Sequence, residues 1–429
     1  MRTPLKAFRL FVVTASSLAA QSPPDLSAAS SGLAEFATIC EASGERLWGV
    51  PLCGRLLLVD GRSRSTVATQ QDPDGKFENR NGLFLGKLPA DILIAYTSVR
   101  WGDEEWAMVS LPLPTDRFQR IRLLAHESFH RIQPALGLRA TDATHLESES
   151  GRLWLRLELR ALAEALRTQG VISRNAAKDA LLFRATRQRL NPGAERLESA
   201  LEIQEGLAEY TGCVVALAVS GESVARVARA VEDAGDQRAF ARSFVYATGP
   251  ALGLLLDRFA GSWRKSITKD TNLAAVLAKA LGNPNAMDIK AAESRGQRYG
   301  YRALSDDEHA RATRTQALLA SYRSRFLEGP VLEFPKTEEL RRSFNPNNLV
   351  PLGESGTVYP TGTFVSRWGT LQIDDVGALP SSDKQSLRVT APFDAQARPL
   401  VGPGWRLDLT PGWTIRAAGK PGDFVLAPE

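Results

Sequence analysis

Over residues 47–113 the apolar positions come in short runs, several of them alternating, with turn signals between. RLLLVD, STVATQ, GLFLGKLP, ILIAYTSV and EWAMVSLPL read as strands, and DPDG, NRNG and WGDEE as turns. The pattern predicts a mostly antiparallel sheet. Its last strand, residues 106–113, is expected at the sheet edge and runs almost directly into a helix. An edge strand there can take an extended peptide by strand addition. From residue 117 to about 327 the period lengthens to that of helices, as in Leu153, Leu157, Leu159, Leu162 and Leu166. A second helix over 173–190 stops before Asn191-Pro192-Gly193. Residues 196–219 read as one long helix, followed by 220–232, 240–259 and an alanine-rich 272–281. The stretch 304–327 opens on Ser305-Asp306-Asp307-Glu308, a capping box. Residues 345–429 return to short alternating runs broken by Gly and Pro, which predicts a small sandwich or partial barrel. Residues 21–35 are small and polar and read as a loose leader.

These elements predict an α+β protein. Its parts are an N-terminal β-sheet region (21–115), a helical core (116–330) and a C-terminal all-β domain (331–429). Composition changes the picture mainly at the N-terminus. Arg2, Lys6 and Arg9 precede an apolar run over 10–20 and then Ser-Leu-Ala-Ala-Gln, the layout of a signal peptide over residues 1–20. The chain is therefore expected to be secreted or periplasmic. Removing that segment takes three positive charges from a formal net charge of +5 and leaves about +2. That balance argues against nucleic acid as the main partner. The apolar run is too short to span a bilayer, and no later stretch approaches about 20 apolar residues. Export also permits a disulfide. Cys40 and Cys53 flank a short segment suited to closure, worth about 3 kcal/mol on the chain-entropy model. Cys213 lies in an apolar stretch and reads as a core residue.

The candidate chemistry centres on RLLAHESFHRIQ, which holds His126-Glu127-Ser128-Phe129-His130, an HExxH. On a helix His126 and His130 lie one turn apart on one face, where two imidazoles can share one zinc ion. Glu127 beside them is placed to take a proton from an attacking water. The chain has four histidines, and two are spent here. A catalytic zinc usually takes three protein ligands, so a third belongs downstream. Glu149 and Glu205 are the candidates. Glu209, one helical turn after Glu205, could accept a hydrogen bond from a ligating imidazole. His145 is a possible accessory residue.

HExxH followed by Glu205-Gly206-Leu207-Ala208-Glu209-Tyr210 and by Tyr246-Ala247-Thr248-Gly249 resembles the gluzincin metallopeptidases. The likeness is to those related to aminopeptidase N and the glycyl aminopeptidases, and covers about residues 100–260. The resemblance implies one zinc per chain, with Glu205 of the EG pair as third ligand. It gives Tyr246 the role of stabilising the oxyanion. Glu149 fits the family's common eighteen-residue gap better, but it is followed by Ser-Gly-Arg rather than Gly-x-Ala. With Glu205 as ligand, residues 151–190 become an inserted helical hairpin. The family's GxMEN strand corresponds to Glu105–Ser110, EWAMVS, which has no glutamate after the methionine. The usual anchor for a free substrate amine is missing, and an endopeptidase is expected over an aminopeptidase. The expected function is a secreted zinc peptidase acting on peptides or proteins. The alternative is a non-catalytic, secreted or envelope-associated binding protein on the same scaffold. A retained Glu127 argues against that alternative, since a purely structural site needs no general base. A metal hydrolase acting on a non-peptide bond remains open.

Overall fold

A computed structural model describes residues 26–94, 97–136, 143–282, 289–337, 339–345, 348–382 and 384–429. The segment expected as a signal peptide lies outside them. The chain is α+β and divides into two compact units, Met1–Ser305 and Asp306–Glu429.

The first unit opens with helix α1 (Leu26–Trp48), so the expectation of a loose leader is corrected over 26–35. Ala29, Leu33, Phe36 and Cys40 are buried along it at helical spacing, a stripe that the intervening small residues disguise. Cys40 is disulfide-bonded to Cys53. Six strands follow: β1 (Leu56–Asp60), β2 (Ser65–Ala68), β3 (Glu78–Arg80), β4 (Leu83–Lys87), β5 (Thr97–Trp101) and β6 (Glu104–Leu111). They form one sheet in the order β3-β4-β2-β1-β6-β5, antiparallel except for the β1–β6 pair. The expected edge position of residues 106–113 is therefore wrong. The turn at Gly102 folds β5 onto the outer side of β6, pairing Val99 with Trp106, while β1 pairs the other side through Leu56 and Ala107. The edge is β5.

Helix α2 (Arg117–Leu136) packs on β5 and β6. Then come α3 (Glu149–Arg167), α4 (Gly170–Leu190), α5 (Ala194–Leu201), a π turn over Glu202–Gly206, α6 (Leu207–Ser220), α7 (Val224–Asp233) and α8 (Val245–Phe259). Helices α9 (Leu273–Ala280), α10 (Ile289–Gly296) and α11 (Tyr301–Arg323) complete the set. The division between the two units falls in α11. No helix among the described residues is long and apolar enough to cross a membrane.

Three expectations change here. A boundary near 115 is absent, because Leu56, Leu58 and Val109 of the sheet share one core with Phe129, Leu155, Tyr210 and Leu252 of the helices. Residues 151–190 do pair as a hairpin, but α3 is no peripheral insertion. It is buried on nearly every side and also packs against α7 and α8, with its buried Arg152, Arg156 and Glu158 each paired. The residues Ser305–Glu308 lie inside α11 rather than capping it. That helix starts after Gly300, whose φ of +80° breaks the preceding turn.

The second unit begins at residue 306, not 331, since Leu319, Tyr322 and Phe326 pack with Leu352, Val358 and Leu379. One five-stranded sheet orders Leu400–Gly402, Trp405–Leu409, Gly369–Ile373, Gly362–Ser366 and Arg341–Phe344. The other orders Leu379–Pro380, Leu387–Thr390, Val331–Glu333, Phe424–Pro428 and Trp413–Ala417. Phe364, Leu371 and Leu407 of the first share a core with Leu332, Val389 and Leu426 of the second, the arrangement of a sandwich. Trp368 and Trp405 are buried in it and Trp413 is partly exposed.

Candidate metal centre

Helix α2 turns Phe129, Ala125 and Ile121 into the core and so fixes which way its other residues face. His126 and His130, four apart, bring their Nε2 atoms within 3.1 Å. Across from them the π turn presents Glu205. Its Oε2 lies 3.5 Å from His130 Nε2 and 3.8 Å from His126 Nε2. Three ligand atoms of a tetrahedral zinc site, each about 2.0–2.1 Å from the ion, sit about 3.3–3.4 Å apart. The three separations bracket that value. Among the described residues this is the one group of His, Cys, Asp and Glu side chains close enough to hold a metal ion.

The outer faces of both imidazoles are occupied. His126 Nδ1 donates to Glu209 Oε2 at 2.9 Å, and Glu209 is also paired with Arg122. His130 Nδ1 donates to Gln133 Oε1 at 2.6 Å. The Gln133 amide nitrogen in turn donates to the carbonyls of Ile203 and Gln204, which sets the orientation of its oxygen. With each proton held on Nδ1, both Nε2 atoms are acceptors. Two acceptor nitrogens and a carboxylate oxygen thus converge on one point, a donor set that suits a cation. Gln133 lies outside the HExxH motif. Its signal is its place three residues after His130 on the same helix face.

Burial pushes the Glu205 carboxyl up, but His130, His126 and the Tyr246 hydroxyl beside it bring it down to about 2. Glu209 is also held below the ordinary range, against its burial, by His126 and Arg122. Glu127 goes the other way. It is buried, and desolvation raises its carboxyl above the ordinary value. Its Oε2 has no hydrogen-bond partner.

Tyr246, near the start of α8, donates its hydroxyl to Glu205 Oε2 at 3.1 Å and stacks on His126 with ring centroids 5.9 Å apart. It is 42% exposed, so the phenol stands between the buried donors and solvent. Burial of the hydroxyl and the Glu205 carboxylate push its pKa up, which keeps it a donor. A cavity of about 220 Å³ opens beside Tyr246 and Glu209, walled by Phe118, Val227, Val231 and Pro250. The two motif glycines meet at this point. A Cβ on Gly249 would lie 2.3 Å from the Cα of Gly206, so only glycine allows α8 to come this close to the π turn.

The other candidates lie elsewhere. Glu149 is exposed at the first position of α3 and is not a member of the group. His145 Nε2 bonds Glu198 at 2.7 Å, at the margin of a buried network of Arg184, Arg187, Glu158, Glu198 and Glu202. No family model, curated protein or solved structure matches this chain.

Proposed function

We propose that this protein is a zinc-dependent peptidase of gluzincin type. The observation that carries the reading is the convergence of His126 Nε2, His130 Nε2 and Glu205 Oε2 at tetrahedral separations beside the buried Glu127, whose Oε2 has no partner. A zinc ion held by those three side chains supplies Lewis-acid polarisation of a carbonyl and a more acidic water.

The chain's own groups do the rest. Glu127 has one carboxylate oxygen uncommitted and a proton affinity raised by burial. It accepts the proton of the attacking water and passes it to the leaving amine. The Tyr246 hydroxyl leaves Glu205 and donates to the oxyanion that develops on the substrate carbonyl. Glu209 and Gln133 hold the imidazoles in one tautomer throughout. The edge strand β5, against which α2 packs, offers an extended substrate a main-chain pairing partner. The cavity beside Tyr246 is walled by apolar side chains on one part and by Arg122, Glu209, Arg226 and Gln237 on the rest, and fits one substrate side chain. The strand over residues 105–110 lacks a glutamate after Met108, which favours cleavage within chains over removal of N-terminal residues. We also keep export as part of this reading, on the N-terminal basic and apolar pattern.

Elemental analysis tests the ligand set. About one zinc per chain is expected in the wild type and in Glu149→Gln, and none in Glu205→Gln. Wild type without zinc after metal is added back ends the reading. Incubation with unstructured protein substrates, with and without chelator, then separates a peptidase from a metal-holding binding protein.

A further inference from the structure

Glu202 and Glu205 lie in one turn of chain, yet they face different partners. In an uninterrupted α-helix at 3.6 residues per turn, Glu202, Glu205 and Glu209 would fall within about 60° of one another. The chain departs from that geometry here. The N–H of Leu207 bonds the carbonyl of Glu202, five residues back, which makes the turn a π turn. Glu205 and Glu209 then reach the histidines of α2, while Glu202 turns towards α4 and α8.

Glu202 is fully buried. Arg184 of α4 grips it with two nitrogens, Nη2 to Oε1 at 2.6 Å and Nη1 to Oε2 at 2.8 Å. Thr248 of α8 donates to Oε1 at 2.6 Å. Arg184 is itself fixed by Glu158 of α3, with Nε to Oε1 at 2.8 Å. Arg187 ties Glu158 to Glu198 at 2.5 and 2.8 Å. Thr248 lies two residues after Tyr246 and next to Gly249, which abuts Gly206. One carboxylate therefore anchors both the turn that offers Glu205 and the helix that offers Tyr246.

We infer that Glu202, with Arg184 and Thr248, is a positioning set for the third metal ligand and for Tyr246. It touches neither metal nor substrate. It holds a π turn that the sequence would otherwise relax, and so fixes where Glu205 stands against the two imidazoles. The inference rests on the metal-centre reading above.

The test is zinc affinity of the purified full chain, by competition with a chromophoric chelator, together with the visible absorption of the Co2+-substituted protein. Thr248→Val removes one hydrogen bond and leaves no charge unpaired. It should weaken zinc binding about tenfold, and Glu202→Gln about a hundredfold. Both should alter the Co2+ absorption, and Thr248→Ser should restore wild-type behaviour. Tyr299→Phe is the control. It removes a hydroxyl from Asp179 on the same helix α4 and should leave zinc affinity unchanged. If Glu202→Gln fails to fold, Thr248→Val still decides. Wild-type affinity and spectrum in Thr248→Val overturn the positioning role while the metal centre stands. No zinc binding by the wild type overturns the metal centre itself, and the inference with it.

Discussion

Two clusters of buried charge meet at one turn of this chain and are built to opposite rules. In the first, around Glu158, Glu198 and Glu202, two guanidiniums are interleaved with three carboxylates, and Thr248, Gln188 and His145 add further donors. Every carboxylate there is gripped by at least one guanidinium, and the one open atom is the buried Nδ1 of His145 at its margin. In the second, around His126, His130 and Glu205, the groups that converge are acceptors, and Glu127 beside them keeps an oxygen uncommitted. Burying charge costs free energy unless it is paired. The first cluster offsets that cost inside the protein. The second leaves its acceptors turned to one point, where they could hold a cation, and in the proposed reaction Glu127 carries the proton. Of the two, the cluster whose pairing is left open is the candidate functional site.

The contrast can be broken from either side. The largest effect belongs to the open cluster. Glu127→Gln should keep its zinc yet lose hydrolysis between about a thousand- and ten-thousandfold, roughly 4–5 kcal/mol in the barrier. Near-wild-type turnover would take the proton step away from Glu127. In the closed cluster, Arg187→Met strips both Glu158 and Glu198 of a partner and should cost about 3–5 kcal/mol in urea unfolding at neutral pH. A loss under about 1 kcal/mol would mean that the network is not closed as drawn. Tyr246→Phe returns to the open side. It should lower turnover about a hundredfold, or roughly 2.7 kcal/mol, with metal content unchanged. Unchanged turnover would remove the phenol from the reaction.

The smallest effect is a dependence on acid. Glu198 is held well below its ordinary 4.5, against its burial, by Arg187 and by the bonds from His145 and Arg187. A depressed carboxyl contributes stability that is fully present above its unfolded value and is lost as pH falls towards the folded one. Below about pH 4.5 the wild type should lose stability faster than Glu198→Gln. Parallel decline of the two in urea midpoints between neutral and acid pH would contradict the assignment.

Much of the open cluster is legible in the sequence because its geometry is local. Residues four apart on a helix share a face, which gives His126 with His130 and Glu205 with Glu209. Only the Glu-Gly pair, and not the spacing, separates Glu205 from Glu149. The closed cluster is invisible at that level. Arg184 and Arg187 sit in a helix rich in charge, and nothing local separates a guanidinium in water from one buried between glutamates. The π turn is hidden for the same reason, since residues 196–219 carry an unbroken helical pattern. In the sheet, alternation announced strands but not order. The parallel β1–β6 pair and the edge position of β5 depend on contacts far apart in sequence.

The touching backbones of Gly206 and Gly249 carry a consequence for random mutagenesis. One added carbon on Gly249 forces α8 and the π turn apart, and Tyr246 travels with its helix, whereas a Cβ on Gly206 makes only a tight contact at 3.0 Å. Neither glycine contributes a side chain to any reaction. A screen of single substitutions should therefore collect, at Gly249 above all, variants that express and fold but do nothing, at a position no list of reacting side chains would include.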